Sequence, residues 1–241
     1  MIDYLPISHR DTENGAKLFE ILMPRFGLGV WQMDNDECKS SIIHALKHGY
    51  RLIDTATAYG NEKAVGEAIR ESKIPREEIF IVTKLRRVHA TGFDETISQC
   101  RESLQRLGLD YVDLYLVHAP PEDISVRGDV WSAMEECLRL GLTKSIGVSN
   151  YGINHLEAML EYATILPSVN QIEVHPWLQR NELRKVNDEF GVTTMGYSPL
   201  ARGHKVDDPL LASIAQSIGC TPAQAAIKWV YDTGCITIPK S

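Results

Sequence analysis

No C-x-x-C pair occurs among the five cysteines (Cys38, Cys100, Cys137, Cys220, Cys235), and their odd number argues against a disulfide framework. They read as small buried hydrophobes of a reducing compartment. Positive charge is not in excess: 25 Lys and Arg against 32 Asp and Glu leave a formal net charge of -7. That balance removes any general attraction to nucleic acid or to an anionic membrane surface. No apolar run approaches the ~18 residues of a membrane span. The opening Met1-Ile-Asp-Tyr-Leu-Pro-Ile-Ser-His-Arg10 has neither a basic n-region nor an apolar h-region. Low-complexity linkers and internal repeats are missing as well. The absences lead us to expect one soluble, cytoplasmic domain over residues 1–241, a monomer whose partners are small molecules. His44 and His48 stand one helical turn apart without a third ligand at suitable spacing, so no metal site is expected.

What is present is a regular alternation of short apolar strands and amphipathic helices. After an N-terminal hairpin around Lys17-Leu-Phe-Glu-Ile-Leu-Met and Pro24, a first helix is capped by Asp34, with Glu37 three residues on. It buries Cys38, Ile42, Ala45 and Leu46 and stops at Gly49. Phe93, Ile97, Cys100, Leu104 and Leu107 lie on one stripe of a later helix that ends at Gly108. Strands are expected at 145–148, 168–173, 192–197 and 235–239, with helices around Leu156, Leu183 and Ile214. A further helix runs from the cap Thr221 and first-turn Pro222 to Asp232. Strict strand–helix alternation in a chain of 241 residues predicts an α/β fold, a (β/α)8 TIM-type barrel with an N-terminal β-hairpin. An open doubly wound sheet is the main rival.

Chemistry concentrates where strands end. Gly49-Tyr-Arg-Leu-Ile-Asp54-Thr-Ala-Thr-Ala-Tyr59-Gly-Asn-Glu62 sets a carboxylate and a phenol in a strand-to-helix loop, the kind of segment that carries function. Lys84 ends the strand 79–84, and His118 ends the strand 111–118. A free tyrosine, with a pKa near ~10, is a poor acid, and a nearby ammonium is expected to lower that value. A carboxylate keeps the ammonium charged, and a histidine can hydrogen-bond a substrate oxygen. Such a set can protonate a carbonyl oxygen. Each residue also has an ordinary reading: Asp54 as a turn cap, Tyr59 as a surface aromatic, Lys84 as a strand-end cation and His118 as a packing residue. Their joint placement favours chemistry.

These motifs resemble those of the aldo-keto reductases over essentially the whole chain. Gly49-Tyr50-Arg51-Leu52-Ile53-Asp54-Thr55-Ala56 with Tyr59 and Asn61-Glu62 is similar to the family's first signature. Lys144-Ser-Ile-Gly-Val-Ser149-Asn150-Tyr151 is similar to its second and Ile238-Pro-Lys240-Ser241 to the opening of its third. Phe26-Gly-Leu-Gly29-Val-Trp31 and Tyr197-Ser-Pro-Leu200 follow in the right order. The resemblance implies a catalytic tetrad at Asp54, Tyr59, Lys84 and His118. It implies that NADP(H) is bound by Gly29, Val30, Asp54, Ser149, Asn150, Gln171, Tyr197, Ser198, Leu200, Lys240 and Ser241, the last two at the 2'-phosphate. A carbonyl substrate would meet Trp31, Tyr59, His118 and Ala119. The implied activity is NADPH-dependent reduction of aldehydes or ketones, and the alternative is a non-catalytic barrel acting as a regulatory or structural subunit.

One absence narrows the cofactor site, and two departures from the family qualify these implications. No G-x-G-x-x-G occurs, so a Rossmann site is not expected; Gly27-Leu-Gly29 lacks the third glycine. Ala119 in His118-Ala-Pro-Pro121 stands where many members have tryptophan, as in some fungal reductases of keto esters and keto amides. Smaller bulk there widens the mouth. The chain also stops after the eighth strand, without the last barrel helix and C-terminal loop. That leads us to expect a bare strip of three or four large apolar side chains near Cys235–Pro239 and Leu28, through which copies could associate.

Overall fold

The computed structural model describes residues 2–205 and 207–240. It begins with an antiparallel hairpin, β1 (Tyr4–Arg10) against β2 (Lys17–Pro24). Eight strands then form one parallel sheet: β3 (Leu28–Gly29), β4 (Leu52–Asp54), β5 (Phe80–Leu85), β6 (Leu114–Val117), β7 (Ile146–Ser149), β8 (Val169–Glu173), β9 (Thr193–Tyr197) and β10 (Ile236–Ile238). Each pairs with its neighbour in sequence. Parallel bridges from Phe26 to Thr237 and from Gly29 to Lys240 join the first strand to the last, so the sheet is a nearly closed barrel rather than the open rival.

The intervening helices are α1 (Asn35–Lys47), α2 (Glu62–Ser72), α3 (Phe93–Leu107), α4 (Arg127–Arg139), α5 (Ile153–Met159), α6 (Asn181–Glu189), α7 (Pro209–Ser217) and α8 (Pro222–Asp232). Local signals place them where expected. Asp34 accepts from the Asp36 and Glu37 amides at the start of α1. Thr221 and Gln224 cap α8 reciprocally. Gly108 ends α3 at φ 64°, a backbone region that costs glycine nothing. Phe93, placed on the buried stripe from sequence, is exposed. The side chains that face inward from the first turns of α3 are instead Thr96 and Gln99.

Period-2 alternation sorts the strand residues into two layers. Leu52, Phe80, Val82, Leu114, Leu116, Val169, Met195, Ile236 and Ile238 fill the barrel, while Leu28, Ile53, Ile81, Tyr115, Val117, Ile146 and Val148 face the helices. Ile7 and Met23 of the hairpin join the inner layer, so the hairpin stoppers the N-terminal end. Among the described residues no helix follows β10. The bare apolar strip expected there is not found: the outward positions are Cys235, Thr237 and, on β3, Leu28, and all three are buried.

His9 ties the hairpin to the barrel floor. It is fully buried, with Nδ1 3.1 Å from the Leu166 carbonyl and Nε2 2.9 Å from Ser145 Oγ. The Ile146 amide also points at Nε2, so the neutral Nδ1–H tautomer satisfies every partner. Burial, opposed by the Leu166 bond, lowers its pKa from 6.5 to about 4. A folded value below the unfolded one means that the unfolded chain binds the proton first. Stability is therefore intact above pH 6.5 and is lost as pH falls toward 4, by about 3 kcal/mol for this group. Urea unfolding at stepped pH is expected to show that loss in the wild type and a correspondingly flatter acid limb in His9→Gln. An unchanged limb would show that His9 does not set it.

Candidate active site

The C-terminal ends of the strands surround a cavity of about 290 Å³. Its walls include Gly29, Trp31, Asp54, Tyr59, His118, Ser149, Asn150, Gln171, Tyr197, Ser198 and Lys240 of the residues singled out in the sequence. Polar groups in the loop after β4 fix Tyr59 in place. Asn61 donates to the Val30 carbonyl and accepts from Thr55. Glu62, buried at the start of α2, accepts from Thr83 and from Arg106 at 2.6 Å each.

Below the cavity floor lies Lys84, with no solvent exposure. It projects inward from β5 because its register neighbours Val82 and Phe80 do so. Its ammonium donates to Asp54 Oδ1 at 2.6 Å, to the Thr55 carbonyl at 2.8 Å and to Tyr59 Oη at 3.3 Å. An ammonium has donors and no acceptor, so Tyr59 accepts in that bond and its own O–H stays available to a ligand. Gln171 donates to Asp54 Oδ2 at 2.7 Å, which occupies the second carboxylate oxygen. The His118 ring meets the Tyr59 ring edge-on, centroids 5.7 Å apart.

The electrostatics amend one expectation. Burial raises the Tyr59 pKa and wins over the Lys84 cation, which pulls it down, so the phenol sits above its ordinary value. It is held as an acid rather than ionised. Burial works against charge on Lys84, but Asp54 and Tyr59 outweigh it and hold the ammonium above its ordinary value. His118 is lowered to about 3 by burial and then by the Lys84 charge, so at neutral pH it is an uncharged hydrogen-bonding group.

Around this core the backbone is strained. Gln32, Asn150, Ser198, Ala201 and Arg202 all take positive φ without being glycine, a cost that folds retain where geometry is over-determined. Asn150 donates to the His118 carbonyl and to Ser149 Oγ and accepts from the Tyr197 hydroxyl at 2.9 Å. With its amide nitrogen committed to Asp54, Gln171 keeps a carbonyl oxygen for a ligand donor. Ser149 Oγ donates to the Gln171 backbone carbonyl at 2.9 Å, so Ser149 and Asn150 meet a carboxamide by exchanging bonds they make here, while the Gln171 side-chain oxygen is already open, with Tyr197 supplying an aromatic face beside them.

Three expected positions fall elsewhere. Val30 is packed in the outer core, where its amide bonds the Asp54 carbonyl. Leu200 and the half-buried Ala119 are not among the cavity walls. Ala119 directly follows His118, and Leu200 comes two residues after Ser198, both of which line the cavity. Ser241 lies outside the described residues. Ala58, Arg202 and Ile238 line the cavity and were missed. The signal for Arg202 was its place in Tyr197-Ser-Pro-Leu200-Ala-Arg202-Gly, a strand-end loop like the others. Among the described residues no helix is long and apolar enough to cross a membrane, and no group of three His, Cys, Asp or Glu could hold a metal.

The model of the family described as "Aldo/keto reductase family" matches residues 23–241. An aldo-keto reductase of Mycolicibacterium vanbaalenii is 47% identical over 219 residues, covering 91% of this chain and 78% of that protein. One from Mycobacterium tuberculosis is 45% identical over 222 residues, covering 92% and 78%. Among solved structures, an aldo/keto reductase from Brucella melitensis superimposes with a TM-score of 0.89 at 40% identity, covering 100% of this chain and 89% of that one. The aldose reductase of Schistosoma japonicum gives 0.86 at 31% identity, with 98% and 82% covered.

Proposed function

Since the chain belongs to the aldo/keto reductase family, we propose that it reduces an aldehyde or ketone with NADPH, with Tyr59 as the proton donor. The observation that carries this reading is the direction of the Lys84–Tyr59 bond, which turns the phenolic proton toward the cavity. Lys84, with its three donors committed, stabilises the phenolate left when the proton departs. Asp54 keeps Lys84 charged, and Gln171 keeps Asp54 in place. Neutral His118 orients the carbonyl oxygen by hydrogen bonding. A reduced nicotinamide, when bound, supplies the hydride that adds to the carbonyl carbon. Ser149, Asn150 and Gln171 would hold its carboxamide, Gly29 and Ser198 would line its path, and Lys240 would meet the 2'-phosphate.

Fluorescence titration with NADPH, followed by turnover on aldehydes, α-keto esters and sugars, tests the reading. Saturable binding with cofactor oxidation by at least one class supports it. Binding without any turnover would point to the regulatory-subunit alternative. We expect the monomer in solution and a cytoplasmic setting.

Lys240 gives a narrower test. It is partly exposed and sits 3.5 Å from Glu37, so an acidic neighbour already draws on its charge. A charge-assisted bond to phosphate contributes roughly 1.5 to 3 kcal/mol, and competition from Glu37 places this one at the lower end. Lys240→Ala is expected to narrow the NADPH-over-NADH affinity ratio about tenfold. Equal affinities in the wild type would remove the role assigned to Lys240.

A further inference from the structure

We propose that Arg202 selects substrates that carry a carboxylate, so that the preferred carbonyl compounds are oxo acids rather than neutral aldehydes or ketones. The proposal rests on the carbonyl-reducing reading of this mouth and names the substrate class for it. Arg202 lines the cavity that Tyr59 and His118 line. Its guanidinium carbon lies 5.3 Å from the centroid of the Trp31 ring, a platform that fixes where the charge sits while leaving its edge donors open. Its ion pair with Glu173 is long, 3.8 Å, and the same carboxylate faces His175 at 3.7 Å. At that length it is an electrostatic tether and not a hydrogen bond. Half of the Arg202 side chain is in solvent.

The other cations near the mouth are differently placed. Lys84 is buried with every donor used, and Lys240 has Glu37 beside it. Arg202 therefore presents a planar fork to the cavity, the shape that recognises a carboxylate through two parallel bonds. Strain makes the placement deliberate: Ser198, Ala201 and Arg202 take φ of 50°, 48° and 54°, which brings the loop after β9 back over Trp31. Five guanidinium donors can serve Glu173 and a substrate carboxylate together.

The test compares 4-carboxybenzaldehyde and succinic semialdehyde with their methyl esters in wild type, Arg202→Gln and Arg202→Lys. The wild type is expected to favour each acid, and the acid-to-ester ratio of kcat/KM is expected to fall at least tenfold in Arg202→Gln, mostly through KM. Arg202→Lys should recover part of it, because the charge returns without the fork. Binding is measured separately by calorimetry with 4-(hydroxymethyl)benzoate and its methyl ester, with and without NADP+. Acid binding lost in Arg202→Gln supports the proposal, and equal acid binding in both proteins overturns it. A larger effect on NADPH affinity than on the acid-to-ester ratio also overturns it, assigning Arg202 to the cofactor's phosphates. If the wild type reduces no carbonyl compound, the Tyr59 reading fails while the calorimetry still decides the role of Arg202.

Discussion

Tyr59→Phe is expected to lower carbonyl reduction by about two to four orders of magnitude, the range ascribed to a positioned general acid, while NADPH affinity changes by no more than a few-fold. The substitution removes one oxygen and keeps the ring that packs edge-on against His118. The loss therefore reports the proton and not the fold. Among the described residues no other phenol is set in the same way: Tyr59 alone receives a bond from the Lys84 ammonium. Steady-state turnover at neutral pH and a fluorescence titration check the two halves. Turnover above a tenth of wild type would sink the assignment. Because burial lifts Tyr59 and lowers His118 to about 3, the wild-type rate of reduction should show no ionisation of either group near neutrality.

Lys84→Met should be as severe for turnover and, in addition, should destabilise the protein. Lys84 is fully buried and Asp54 is nearly so. Removing one partner of a buried pair leaves a carboxylate with the Gln171 bond alone, a loss of about 3 to 5 kcal/mol. A typical domain has about 5 to 15 kcal/mol in all. Pairing the change with Asp54→Asn removes both charges, so much of the stability should return while turnover stays lost. That contrast separates the chemistry from the fold. Denaturant midpoints and turnover of the single and double variants read it out. A Lys84→Met protein of normal stability and near-normal rate would reduce Lys84 to a strand-end residue.

The legible part of this molecule was local and periodic. Caps at Asp34 and Thr221, stop signals at Gly49 and Gly108 and period-2 strands placed most elements, because each depends on neighbours in sequence. Asp54, Tyr59, Lys84 and His118 were legible because strand ends in such a fold converge on one face. What escaped depends on partners far along the chain. His9 meets Ser145 and Leu166 across 136 and 157 residues, and nothing near residue 9 announces them. The Gln171–Asp54 bond spans 117 residues in the same way. Net electrostatics were also out of reach: the sequence showed an ammonium able to lower the Tyr59 pKa, but not the burial that overrides it. Phe93 shares the stripe by period but stands at the first turn of α3, where it is 40% exposed.

The seam that joins β3 to β10 has a consequence for how the chain acquires its shape. Its backbone bonds, from Gly27 to Thr237 and from Gly29 to Pro239, link segments about 210 residues apart. Loop closure over such a distance is unfavourable until the intervening elements have condensed, so the seam is a late event on the folding path. Strands β4 to β9 can zip successively, since each pairs with the one before it. Until the seam forms, β3 and β10 are raw sheet edges, the surfaces through which incomplete chains recruit one another. Gly29 and Lys240 belong both to that seam and to the cavity wall. The last step of assembly is thus also the one that closes the binding mouth on the side of Gly29, Trp31 and Lys240.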